Sequence, residues 1–285
     1  MSTPDGVGWR AAFDALPTSW RDHRDRAVRR PPPPGPDLPP FYREIGAFQG
    51  EAYRRNAFAL GTAEELAALR GILDLGAGTR VLDVGCGDGR HLRALAADGV
   101  RGVGVDTSPE LLAAARAATA DDADVVFVVA DGRDHDGLVA AGIDLGRFDV
   151  ALSLCQGALG TSPETDPDVV AALAAAIRPG GRVVLTLFHA AFAARHLAPG
   201  DAYDAVHGVH HQVSEVRGPD DDTARFDLWT SAYTVREAVI LCAGAGLRVT
   251  QVRGVEPGAY GRRAPGEVAL DDPEILVVAE RVDRG

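Results

Sequence analysis

The sequence predicts an α/β protein: a mostly parallel sheet with helices on both faces and a β-hairpin inserted near its end. Three observations carry this. Residues 80–90, Arg-Val-Leu-Asp-Val-Gly-Cys-Gly-Asp-Gly-Arg, pass from a short apolar run through three glycines into helical spacing. Further apolar runs at 102–106, 121–130, 147–154 and 182–189 alternate with helical segments, as in a parallel sheet. Between the fifth run and the next helix, two polar-apolar alternating stretches flank the acidic turn Gly218-Pro219-Asp220-Asp221-Asp222, which is hairpin chemistry.

At 285 residues the chain is long enough for a full core, and its 46% apolar and 25% charged residues are ordinary for a globular protein. No apolar run reaches a membrane span and the N-terminus lacks a signal-peptide core, so a cytoplasmic protein with no membrane partner is expected. A net charge of −12 disfavours a nucleic acid as partner. Cys86, Cys155 and Cys242 are odd in number and widely spaced, as reduced thiols would be, with no metal site among them. All 29 basic residues are arginine. Without lysine there is no Schiff-base chemistry and no P-loop phosphate lysine.

In chain order, residues 1–40 combine mixed charge with a proline run, which reads as a tail and stiff linker. Residues 41–73 are helical, with a capping box expected at Thr62-Ala63-Glu64-Glu65. Val81, Leu82 and Val84 make one buried strand. The turn Gly85-Cys86-Gly87-Asp88-Gly89 then leads into a helix, the first half of a Rossmann-type βαβ unit. A dinucleotide site favours G-x-G-x-x-G, whereas here the spacing is G-x-G-x-G behind the acid Asp83; three glycines also simply make a tight turn. Asp106 ends the second strand 17 residues after Gly89, where Rossmann sites place an acid on a ribose diol. Ser108-Pro109-Glu110 supplies an N-cap, a first-turn proline and an acid. Asp131-Gly132 closes the third strand, and Cys155-Gln156-Gly157 follows the fourth. Arg178-Pro179-Gly180-Gly181 precedes the fifth strand, Thr234-Val235-Arg236-Glu237 is another capping box, and strands are expected at 247–252 and 274–280. The loop 253–273 between them has no evident role.

In order and spacing these segments resemble class I S-adenosylmethionine (SAM) dependent methyltransferases over residues 80–190. The resemblance implies a Rossmann-like seven-stranded sheet, one strand reversed at its edge, in a domain spanning 74–285 with a cap insertion at 190–232. Residues 41–73 become a helical lid, from which Tyr42, Tyr53 and Arg55 are candidates to reach the cofactor. SAM is the implied methyl donor. Its amino-acid tail is assigned to Asp83, Gly85, Cys86 and Gly87, its ribose to Asp106 and Thr107, and its adenine to Asp131 and Gly132. Leu154 and Cys155 occupy the position where methyl and acceptor meet. Cys155 has no neighbouring cation in sequence to activate it and is expected to line the pocket. No Asn/Asp-Pro-Pro-aromatic follows the fourth strand, which argues against methylation of nucleic-acid bases. No acid follows it either, which argues against a catechol-type Mg²⁺ site.

His189, at the end of the fifth strand, and His207, His210 and His211, in the insertion, are the best candidates for a base or acceptor contact, with an ordinary polar hairpin as the alternative. On a strand His210 and His211 face opposite ways, which weakens any metal assignment. His91 is expected to be structural or solvent-facing. The expected activity is methyl transfer to an oxygen or nitrogen of a small-molecule acceptor, by a monomer or homodimer. A non-catalytic SAM-binding protein and a nicotinamide-dependent oxidoreductase remain as alternatives.

Overall fold

The computed structural model describes residues 40–55, 61–220 and 222–282. Apart from residue 40, the expected N-terminal tail lies outside them. Helix α1 (Pro40–Gln49) runs into a 3₁₀ turn (Gly50–Arg55), and helix α2 spans Thr62–Ile72. The alternating unit then follows: β1 (Arg80–Val84), α3 (Arg90–Ala96), β2 (Arg101–Asp106), α4 (Pro109–Ala117), β3 (Val125–Val129), α5 (His135–Ala140), β4 (Phe148–Ser153), α6 (Asp166–Ala176) and β5 (Ile177–His189). The C-terminal part holds α7 (Ala190–Arg195), β6 (Ala202–Asp204), β7 (Val209–Arg217), β8 (Thr223–Tyr233), α8 (Val235–Gly244), β9 (Leu247–Val255) and β10 (Glu274–Arg281).

The main sheet runs β3-β2-β1-β4-β5-β10-β9, with β1 to β5 parallel and β10 antiparallel to both its neighbours. The reversed strand is therefore one place in from the edge, and β9 is outermost. β10 follows the long loop 253–273 and inserts between β5 and β9, an order that apolar runs do not reveal. β7 and β8 form the antiparallel hairpin, β6 extends it, and β8 joins the main sheet only through Phe188↔Ala232 and His189↔Tyr233 of β5. β5 begins earlier than the expected Arg182. Ile177 pairs with Phe148, and the register then shifts before Arg182 pairs with Val150, so Arg178-Pro179-Gly180-Gly181 bulges out of the ladder.

The central parallel strands β1, β4 and β5 are mostly apolar because both of their faces are covered, whereas the edge strand β3 leaves Val126 and Val129 exposed. One face packs Val169, Val170 and Leu173 of α6 and Ala238 and Cys242 of α8. The other packs Leu66 and Leu69 of α2, Leu92 and Leu95 of α3, and Leu112 of α4. Each such leucine contributes about 1.5–3 kcal/mol by leaving water. Two of the three expected caps are present. Ser108 Oγ accepts from Leu111 N, and Thr234 with Glu237 forms a reciprocal box. The third is not: Gly61 is the N-cap of α2, while Thr62 Oγ1 accepts from Arg90 and Glu65 is turned inward. A tertiary ion pair has taken the groups that a local cap would use.

Candidate functional site

The turn after β1 is built on backbone proximity. Gly85 has φ +77°, and a Cβ there would lie 2.2 Å from the carbonyl carbon of Gly157, so the loops after β1 and β4 touch through their main chains. At Gly87, φ +56°, a Cβ would meet the ring of Tyr53 at 3.4 Å. These two positions need the left-handed backbone that glycine adopts without penalty. Gly87 N donates to Asp106 Oδ2 at 2.8 Å, and Ser108 N donates to Oδ1 at 2.9 Å. The Asp106 carboxylate thus pins the glycine turn to the end of β2. Each of its oxygens still has a lone pair for a ligand hydroxyl.

A cavity opens over the carboxyl ends of the strands, where open α/β sheets bind ligands. Gly85, Gly87, Asp106, Thr107, Asp131 and Gly132 line it, together with Tyr53 and Cys155. Asp83, Cys86 and Leu154 are buried behind that lining. Asp131, expected to meet the adenine, is not bare: Arg133 donates to it through Nε and through Nη2 at 2.6 Å, and Arg133 also lines the cavity. The side chains of Tyr42 and Arg55 lie outside the described part of the chain.

Two further walls close the cavity. Ile45, Gln49 and Tyr53 come from α1 and the 3₁₀ turn; Gln212 and Val216 of β7 and Leu228 and Thr230 of β8 come from the hairpin. The walls meet where Phe48 packs on Phe226, ring centroids 5.5 Å apart. Burial pushes the Tyr53 phenol well above its ordinary value, so it stays a neutral hydroxyl.

Beneath the cavity lies a polar cluster that the sequence did not reveal. Glu65 is fully buried and accepts from Arg90 Nη1 at 2.5 Å, His91 Nε2 at 2.8 Å and Gly258 N at 2.9 Å. Burial pushes its carboxyl up, but the hydrogen bonds from His91 and Arg90 outweigh that and hold it below the usual value. Arg90 Nη2 reaches Cys155 Sγ at 3.0 Å, and the Tyr260 hydroxyl lies 3.1 Å from the same sulfur. Cys155 therefore does have an adjacent cation, supplied from 65 residues away. Burial still drives its thiol far upward, so it remains protonated and unreactive. Glu65, His91 and Cys155 offer ligand atoms within 4.8 Å of one another, but the Arg90 guanidinium bonds both Glu65 and Cys155 and already supplies the positive charge there. The loop 253–273 gains a role: it delivers Tyr260, fully buried, to this cluster.

The four candidate histidines do not line the cavity, and the exposed His207 bonds Asp204 at 2.8 Å. His189 Nδ1 bonds the Asp272 carbonyl at 2.9 Å, and His211 Nε2 bonds Asp227 at 2.6 Å while its ring packs on Trp229. Both serve as anchors between segments. His210 shares a hairpin face with Gln212 but is held by Asp201 at 3.2 Å and packs on Phe188. His91 is buried against Glu65 and does not face solvent.

The residues fit SAM on their own chemistry. Asp106 stands ready for a diol. Two buried polar atoms at the cavity, Asp83 Oδ2 behind the turn and Gln49 Nε2 on the helical wall, have no hydrogen-bond partner among the described residues. Burial pushes Asp83 up to about 6 despite the pull of His91 and Arg90. An ammonium on a ligand would find a buried carboxylate there.

Residues 81–181 match the family model for the methyltransferase domain. No curated protein sequence matches the chain. Among solved structures, the CcbJ methyltransferase from Streptomyces caelestis is similar with TM-score 0.66 and 20% identity, over 84% of this chain and 98% of that one. The glycopeptide N-methyltransferase MtfA gives 0.54 and 20%, over 78% and 90%. The 1,6-didemethyltoxoflavin-N1-methyltransferase of Burkholderia thailandensis, solved with its substrate and S-adenosylhomocysteine, gives 0.54 and 19%, over 90% and 94%. At these identities the structures share the fold. The match over residues 81–181 makes that stretch similar to a methyltransferase domain.

Proposed function

We propose that the enzyme methylates an oxygen or nitrogen of a small molecule. The observation that supports this is the continuity of the cavity. One space runs from the glycine turn and Asp106 to the inner face of the β7–β8 hairpin, with α1 forming a further wall. An acceptor enclosed by those walls is a small one; a nucleic-acid duplex would need an open, basic face, and this chain carries −12.

When bound, SAM supplies an electrophilic methyl on a sulfonium. The chain's own part is binding, orientation and exclusion of water. Gly85 and Gly87 let the cofactor tail lie on the main chain, with Asp83 behind them; Asp106 and Thr107 receive the ribose, and the Asp131–Arg133 pair with Gly132 borders the adenine. Leu154 and Cys155 shape the floor at the transfer point, and Tyr53 closes it from above as part of a helical lid. Holding donor and acceptor in line supplies about 7–11 kcal/mol of the barrier reduction without a catalytic base. Where the acceptor must lose a proton, His210, which shares a hairpin face with the lining residue Gln212 but is itself behind the lining, is the nearest of the candidate histidines in register. Burial lowers its basicity against the pull of Asp201, which keeps the ring neutral. Neutral imidazole is the form that accepts a proton.

The test is transfer of labelled methyl from SAM into a metabolite extract, an RNA pool and a protein pool side by side. Label in the small-molecule fraction alone is expected. Label confined to RNA or protein refutes the proposal.

A further inference from the structure

Cys155 and Gln156, which follow β4 after Leu154, both have left-handed backbones, at φ 53° and φ 57°. Two successive non-glycine residues in that region are costly, and the surroundings must hold them there. Cys155 N donates to Thr186 Oγ1 at 2.7 Å, and Gln156 Nε2 donates to Glu274 Oε1 at 3.0 Å. Glu274 is the first residue of the inserted strand β10 and is 2% exposed. Its carboxylate captures the amide nitrogen of Gln156, and the amide oxygen is left as the acceptor available to the cavity that Gln156 lines.

The rest of that end of the cavity is polar without charge. Gln49, Tyr53, Thr161, Gln212 and Thr230 supply further neutral hydrogen-bonding groups, whereas the charged side chains among the described lining residues are Asp106, Asp131 and Arg133, at and just after the ends of β2 and β3. A carboxylate or ammonium brought in here beside the neutral demethylated cofactor would leave water without a counter-charge from the lining side chains, at a cost of several kcal/mol. A hydroxyl or amide N–H would meet partners.

Resting on the methyltransferase reading above, we propose that the acceptor is uncharged and donates its O–H or N–H to Gln156 Oε1, and that Glu274 is the positioning residue that orients this amide. Glu65, Arg90, Cys155 and Tyr260 also face Glu274, alongside Gln156 and Thr186. Burial pushes its carboxyl up to about 7 despite the Gln156 bond. Below that pH the protonated carboxyl becomes a donor, and the favoured Gln156 amide orientation reverses.

The probes are phenol, benzyl alcohol and benzamide against benzoate and benzylamine, with binding read by saturation-transfer NMR on protein saturated with S-adenosylhomocysteine. The neutral probes should bind better than the charged ones. Gln156→Met, which keeps the chain length, should weaken them about fivefold, the worth of one neutral hydrogen bond. Binding should also weaken as the pH falls below 7, and Glu274→Gln should keep the binding and lose that pH dependence. Glu274→Ala should behave like Gln156→Met. Preference for benzoate or benzylamine, failure of every neutral probe, or indifference to Gln156→Met overturns the proposal. Calorimetry of S-adenosylhomocysteine on the same samples reports separately on the methyltransferase reading: cofactor bound normally, with probes indifferent to Gln156, sinks this inference alone.

Discussion

Replacing Glu65 by alanine tests whether the cluster beneath the cavity holds three distant segments together. Glu65 on α2 is fully buried and bonds Arg90 and His91 on α3 and the main chain of Gly258 in the 253–273 loop. The substitution strands Arg90, only 7% exposed, with Thr62 Oγ1 and Cys155 Sγ as its remaining bonded partners. Breaking a buried ion pair by removing one partner costs about 3–5 kcal/mol, since the other charge stays desolvated. At roughly 2–4 °C per kcal/mol for a domain near this size, Glu65→Ala should melt about 6–20 °C lower than the parent. Glu65→Gln keeps an acceptor oxygen and should lose less, about 1–3 kcal/mol. Scanning calorimetry measures both. Limited proteolysis provides a second readout, because release of Gly258 should open the 253–273 loop to cleavage. A Glu65→Ala protein melting within about 2 °C of the parent would refute the reasoning, because no buried charge could then have been uncovered.

Other outcomes follow from the same physics. Asp83→Asn removes an orphaned buried charge, so the ligand-free protein should melt no lower than the parent while S-adenosylhomocysteine binds more weakly; loss of stability with unchanged binding would contradict the tail assignment. Asp83 and Asp166, pushed up to about 6, and Glu274, pushed up to about 7, destabilise the folded state while ionised. Stability should therefore rise as the pH falls from 8 towards about 5, then fall as Glu65, held below its usual value, is protonated. A melting profile that peaks above neutrality would contradict this. Gly85→Ala places a methyl against the Gly157 main chain and in a left-handed backbone, and should cost both stability and cofactor affinity. Cys155 should resist alkylation in the native state and react on unfolding; rapid native labelling would contradict a protonated buried thiol.

Much of the framework was legible in the chain. Apolar runs mark β1, β2 and β4 within a few residues because strands in the middle of the sheet leave little room for polar side chains, and β3 is marked by its valines although it lies at the edge. The glycine turn and Asp106 were legible because their geometry is local: a positive φ at Gly87 and a bond from its nitrogen to the next strand end. The Glu65 cluster was not, because its partners lie 25 and 193 residues away and none carries a motif. Thr62-Ala63-Glu64-Glu65 misled for the same reason, its capping groups being consumed by Arg90. The left-handed backbone at Cys155 and Gln156 leaves no mark in residue type, and Glu274 reaches Gln156 only because β10 inserts beside β5. The histidines drew attention as polar groups near the expected pocket, yet His189 and His211 are committed to Asp272 and Asp227.

The most direct measurement is calorimetric titration of SAM into the parent protein and into Asp106→Ala. The Asp106 carboxylate holds the Gly87 turn and, in the proposed placement of the cofactor, receives the ribose, so the parent should bind with one site per chain and the variant at least about tenfold more weakly, as two charge-assisted hydrogen bonds lost would dictate. Equal affinity in the two proteins would mean that the nucleoside does not lie at the end of β2.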